Sequence, residues 1–150
     1  ATRFAASEVR PTGRTSRGVK SMRLKDGDSI RDMNVLMGPG SDHADKQEFV
    51  LAVTAEGYGK RMLTESFRPQ GGRGRLGVIA IKFKATSEHD SVVCLKTVRE
   101  DDEVLLISEK GIMVRQKVKN ISTQNRAATG VVLQRLDDGD RITTASIVPA

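Results

Sequence analysis

Aromatic side chains are scarce in this chain: four Phe, one Tyr and no Trp among 150 residues. That argues against the stacking platforms on which single-strand binders lay their bases. Cysteine is scarcer still. Cys94 is alone, so no internal disulfide can form, and its place in an alternating stretch predicts a small core residue in a reducing compartment. Two histidines, His43 and His89, stand in polar loops without Cys/His ligand spacing, which predicts no metal site. No apolar run is long enough for a membrane span, and no charged segment leads into an apolar stretch as in a signal peptide; a soluble chain is expected. Paired carboxylates, a Walker sequence and a nucleophile beside a plausible base are absent too. Catalysis by this chain alone is not expected, and no cofactor.

What is present is repetition. Arg3, Arg61 and Arg115 each precede an apolar residue by six positions, at Val9, Phe67 and Ile121. Next come Arg14, Arg73 and Arg126, each followed four residues on by Gly18, Gly77 or Gly130 and then by a valine. Further on lie Asp28, Asp90 and Asp140, each with a β-branched residue two positions later. The second and third copies also match upstream, at Leu51/Leu105, Val53/Ile107 and Gly57/Gly111, where the first copy has no counterpart. The shared glycines are spaced by 59 and 53 residues, a period at which a unit is a propeller blade or a pair of helical hairpins.

Periodicity separates the two. After each shared glycine the residues at +2, +4 and +6 are mostly apolar (Ile79, Ile81, Phe83 in the second copy), while +5 carries a cation at Arg23, Lys82 and Arg135. No window sustains a helical stripe. One unit therefore reads as strands over 48–54, 59–63, 77–84 and 91–98, with an irregular basic loop over 64–76. The expected class is all-β, a propeller-like repeat of four-stranded blades with about three present: a partial blade over 1–36 and full blades over 37–98 and 99–150. Three blades leave unpaired edges, which predicts frayed ends or self-association.

The net charge is +6, and its cations fall in the corresponding parts of the three copies. Arg3, Arg10, Arg14, Arg17 and Lys20 lie in the first, Lys60, Arg61, Arg68, Arg73 and Arg75 in the second, and Arg115, Lys117, Lys119 and Arg126 in the third. Acidic residues gather in other turns, at 26–32, 42–48, 100–103 and 137–140. A basic rim at blade spacing suits a phosphate backbone, and glycine beside arginine lets a phosphate reach the main chain. Without aromatic platforms or a helix for the major groove, the expected partner is duplex DNA, held through its backbone with little regard to sequence. A second reading is a module that binds protein through the acidic turns. Gly72-Arg73-Gly74-Arg75-Leu76-Gly77 satisfies G-x-G-x-x-G, but a strand-like continuation where a helix is needed argues against a dinucleotide site.

These residues carry a resemblance. Gly57-Tyr58-Gly59-Lys60-Arg61, Gly77-Val78-Ile79-Ala80-Ile81-Lys82, Gly130-Val131-Val132-Leu133 and the opening Ala1-Thr2-Arg3-Phe4 with Val9-Arg10-Pro11-Thr12-Gly13-Arg14 look like the C-terminal domain of the DNA gyrase A subunit, over nearly the whole chain. The resemblance implies a β-pinwheel, a ring of blades with strand exchange between neighbours, whose basic perimeter wraps duplex DNA in support of ATP-dependent negative supercoiling. It also implies that cleavage and ATP hydrolysis reside elsewhere, in the rest of the gyrase A subunit and in the gyrase B subunit. The location implied is the bacterial cytoplasm, at the nucleoid, or an organelle of bacterial descent. The family's Gln-Arg-Arg-Gly-Gly-Lys-Gly box does not occur; Gln70 to Gly77 is a loose echo, and the matching places the chain at roughly the last three blades. The related domain in the A-type chain of topoisomerase IV is the alternative within this resemblance.

Overall fold

The computed structural model describes residues 1–37 and 48–150. Seven strands are found there: β1 (Glu48–Thr54), β2 (Tyr58–Leu63), β3 (Val92–Arg99), β4 (Glu103–Ser108), β5 (Met113–Lys117), β6 (Val131–Val132) and β7 (Ile142–Val148). They form two antiparallel sheets, ordered β3-β1-β2-β6 and β5-β4-β7.

The sequence of β1 shows where it sits. Glu-Phe-Val-Leu-Ala-Val-Thr is apolar on both faces, and everything after Glu48 is buried. Phe49, Leu51 and Val53 face the second sheet and pack with Val104, Leu106, Val118, Ile121, Ile142 and Ala145. Val50 and Ala52 face the other way, onto Met62, Phe67 and Ile81, with Ala1, Leu36 and Val78 at the margin. By contrast β4, Glu-Val-Leu-Leu-Ile-Ser, alternates buried and half-buried because only one of its faces is covered. Cys94 lies in the core between the sheets, and burial pushes its thiol up to about 12, as suits a small packing residue.

The repeated hairpins close with repeated devices. Ladder irregularities occur at Val53/Thr54 and at Ile107/Ser108, the same place in each copy. There the buried Thr54 hydroxyl accepts from the Tyr58 amide, as the Ser108 hydroxyl does from the Ile112 amide. Asp90 accepts from the Glu56 and Ser91 amides, and Asp140 from Lys110 and Arg141. The aspartate heading each last strand thus ties it to the hairpin turn. The apolar residue six beyond each first arginine closes a one-turn 3₁₀ helix: the Val9, Phe67 and Ile121 amides donate to Ala6, Thr64 and Val118.

The units exchange strands. β6 belongs to the third copy but pairs with β2 of the second, Val131 opposite Gly59 and Val132 opposite Tyr58. One unit earlier Val78 meets Ala1 in the same way, its amide donating to the Ala1 carbonyl at 2.7 Å. A Cβ on Gly130 would stand 2.5 Å from the Gly59 carbonyl oxygen, and one on Gly77 would overlap that of Ala1. Both glycines have positive φ, +96° and +83°, so the repeated glycine is required by backbone crossing backbone.

Two strand expectations need correction. Residues 77–84 form no strand, and the matching segment of the third copy forms only the two residues of β6. The exchanged ladder is short because the chain turns away at Leu133, whose amide donates to Gly57. The expected face also fails: Ile81 is buried, but Ile79 is 64% exposed while Val78 and Ala80 pack inward. In the first copy the described residues show only the isolated Met22–Arg75 bridge.

Candidate nucleic-acid interface

The repeated loop arginine is placed by the junction between copies. Arg73 donates through Nη1 to the Lys20 carbonyl at 3.1 Å, and Arg126 through Nη1 to the Ile79 carbonyl at 3.0 Å; Lys20 and Ile79 hold the same position in their copies. Backbone bonds repeat with them. The Arg23 amide donates to the Arg75 carbonyl at 2.9 Å, and the matching Lys82 amide to the Ala128 carbonyl at 3.2 Å. Each basic loop is therefore fastened to the copy before it. The second loop gains further bonds from the first segment: the Glu8 carboxylate accepts from the Arg73 amide, and the Ser21 carbonyl from the Gly74 amide.

This construction brings the first and second groups of expected cations together. Arg10, Arg14, Arg17 and Lys20 are exposed on the segment that flanks the exposed Arg68, Arg73 and Arg75. Arg126, half-buried, continues the arrangement at the next junction. Arg23, Lys82 and Arg135, the cations five residues beyond each shared glycine, are exposed as well, and the first two adjoin the loops through the amide bonds above. Their regular spacing was the signal that could have placed them among the candidates.

Three of the expected cations are engaged in bonds between copies. Lys60 is fully buried, and its ammonium donates to the carbonyls of Asn125, Arg126 and Ala128, each at 2.6 Å. Arg61 is 9% exposed; its guanidinium sits 4.6 Å from the centre of the Phe49 ring and pairs with Glu100 and the Lys119 carbonyl. Arg3, at the matching position, donates to the Thr64 and Phe67 carbonyls. These three cations bind one copy to the next. Arg115, third in that column, is exposed on the uncovered face of the second sheet and pairs with Glu103. Lys117 and Lys119 are exposed as well, the Lys119 carbonyl being the one that Arg61 holds.

The acidic turns are largely occupied by the fold. Asp102 accepts from the Arg99 amide, Glu100 and Glu103 hold the arginines just named, and Asp140 ties its hairpin. Asp32 pairs with Lys96 and accepts from the Leu95 amide. Residues 42–47 of the expected acidic turn at 42–48 lie outside the described residues. The Gly72–Gly77 loop runs into no helix, so it lacks the geometry of a dinucleotide site.

The family model described as "DNA gyrase C-terminal domain, beta-propeller" matches residues 3–36, 48–93 and 102–149. The chain belongs to the DNA gyrase C-terminal domain family. Among curated relatives of this gyrase domain, the gyrase A subunit of Synechocystis sp. is 39% identical over 95% of the chain, and that of Staphylococcus epidermidis 35% over 97%. The chain spans 19% and 15% of those proteins. A solved gyrase A C-terminal domain superposes with a TM-score of 0.79 at 31% identity, covering 96% of this chain and 45% of that one. The C-terminal domain of a topoisomerase IV superposes with a TM-score of 0.85 at 24% identity, covering 97% and 42%, a likeness of fold. The gyrase domain is the better fit in sequence.

Proposed function

We propose that this chain is a duplex-binding module of a gyrase A subunit, acting with the remainder of that protein and with the gyrase B subunit to guide DNA for negative supercoiling in the bacterial cytoplasm or an organelle of bacterial descent. The observation that carries this reading is the fastening of each basic loop to the copy before it, which sets Arg73 and Arg75 against Glu8, Lys20 and Arg23 at the two ends of the exposed segment that carries Arg14 and Arg17. Cations fixed on adjoining loops meet successive phosphates without reading bases. We further propose that the uncovered face of the second sheet makes the isolated chain associate with a second copy.

The test is fluorescence anisotropy with a duplex of roughly 40 base pairs over a salt series, on wild type and on Arg14→Glu, Arg17→Glu and Arg68→Glu combined. None of these three arginines holds a junction, so the fold survives and circular dichroism serves as the control. The variant loses at least ten-fold in affinity, and its log–log salt slope becomes shallower by about 0.9 for each phosphate contact removed. Equal, shallow slopes in both proteins would sink the reading.

A further inference from the structure

We propose that Lys60 is a positioning residue for DNA binding: it reaches across the junction and holds the 125–128 loop of the next copy, with Arg126, in the shape that meets a phosphate. The inference rests on the function proposed above. Lys60 lies on β2 opposite Ala52, is fully buried, and aims its ammonium at three carbonyls of one short loop. An ammonium has three donors, and all three are spent here. The second loop has Gly71, Gly72 and Gly74 in left-handed conformations and the Glu8 carboxylate beneath it, whereas 125–128 has no positive-φ residue and no such carboxylate. The Lys60 counterpart in the first copy is Thr2, whose hydroxyl is buried without a partner. Lys60 therefore does at one junction what Glu8 does at the other.

The charged group that acts on Lys60 is a cation, Arg126, on the loop it holds. Burial, with Arg126 adding to it, lowers the Lys60 ammonium to about 8. A neutral amine keeps only two hydrogens, so one loop carbonyl loses its donor as pH rises past that point.

Three readouts test this on the chain. In acylation with an amine-reactive ester followed by mass spectrometry, Lys60 stays unmodified with and without a 40-base-pair duplex (roughly the length of a few helical turns), while exposed Lys20 reacts when free and is protected when bound. In hydrogen exchange, Lys60→Met speeds the Ala128 amide, which donates to Asn125 at 3.1 Å, by at least ten-fold and leaves β4 amides unchanged. In wild type the same amide loses protection above pH 8, beyond the ordinary base-catalysed rise, and Lys60→Arg, which does not titrate there, removes that step. Duplex affinity of Lys60→Met falls several-fold. Lys60 acylated as fast as Lys20 and protected by DNA would make it a direct contact and overturn the proposal; so would unchanged Ala128 exchange in Lys60→Met. If wild type fails to bind duplex, the function proposed above falls, and the exchange data alone decide whether Lys60 holds the loop.

Discussion

Arg61 and Arg115 occupy one column of the repeat and one side of their sheets, yet removing them should differ sharply in cost. Arg61→Ala takes a guanidinium from a site where Phe49, Glu100 and the Lys119 carbonyl converge. Uncovering that carbonyl and emptying the space costs about 2 kcal/mol. Arg115→Ala removes an exposed ion pair with Glu103 and changes stability by less than about 0.5 kcal/mol. Urea denaturation of both variants measures the difference; equal losses would contradict the assignment of Arg61 to the junction. Here, too, sequence reasoning met its limit. A cation in the basic part of a repeat signals a phosphate track, but it signals equally a cation that binds carbonyls of the next copy. Arg3, Lys60 and Arg61 are of the second kind, and residue type alone does not distinguish them, because the deciding partners lie about 60 residues away in sequence.

At the scale of the element, the exchanged strand depends on a glycine. Gly130→Ala puts a Cβ against the Gly59 carbonyl in a backbone conformation that alanine disfavours. The expected loss is about 3 kcal/mol, or roughly 10 °C in melting temperature for a chain of this size. Gly18→Ala, with open space around it, suffers only the conformational strain and serves as the control. Similar melting temperatures would mean that the junction relaxes around the methyl group. The hairpins were readable because Gly57 and Gly111 interrupt β-rich runs, and β1–β2 and β4–β5 lie where the pattern puts them. The third strand was not, since a period of two reports alternating environment and leaves hydrogen bonding open. Residues 77–84 instead turn Val78, Ala80 and Ile81 inward and leave Ile79, Lys82 and Phe83 outside, with little ladder to show for it. A pH effect belongs at this scale as well. Burial works to raise the Asp32 pKa, but the Leu95 amide, the Lys96 ammonium and the Met33 amide outweigh it, leaving it below 3.8. The clamp of Asp32 on β3 is complete above that ordinary value and is lost as pH falls through the lowered one. Exchange of the Leu95 amide, normalised for pH, should therefore rise in strong acid, and in Asp32→Ala it should be raised at every pH.

For the whole molecule, the asymmetry of the two sheets has the largest consequence. The first sheet is covered on both faces, and β6 closes the free side of β2. The second has one covered face, and among the described residues no strand lies beyond β5. Its open face carries the half-buried Leu105 and Ile107 beside Met113, which is 58% exposed. An unpaired strand next to apolar side chains is a template for another chain, and the exchange of β6 shows that this repeat closes such an edge with a short segment of a neighbouring unit. A second copy meets both needs. Sedimentation velocity should therefore give a mass that rises with concentration, and Ile107→Lys with Met113→Lys should return the monomer with little change in melting temperature, because neither side chain is in the core between the sheets. The same pair leaves the loop cations untouched, so duplex affinity per chain should stay within about two-fold of wild type unless dimers bind DNA as one unit, in which case the shallower salt slope of the monomer would reveal it. A wild-type chain that remains monomeric at every concentration would show that Arg115, paired with Glu103 across this face, is enough to keep the edge apart.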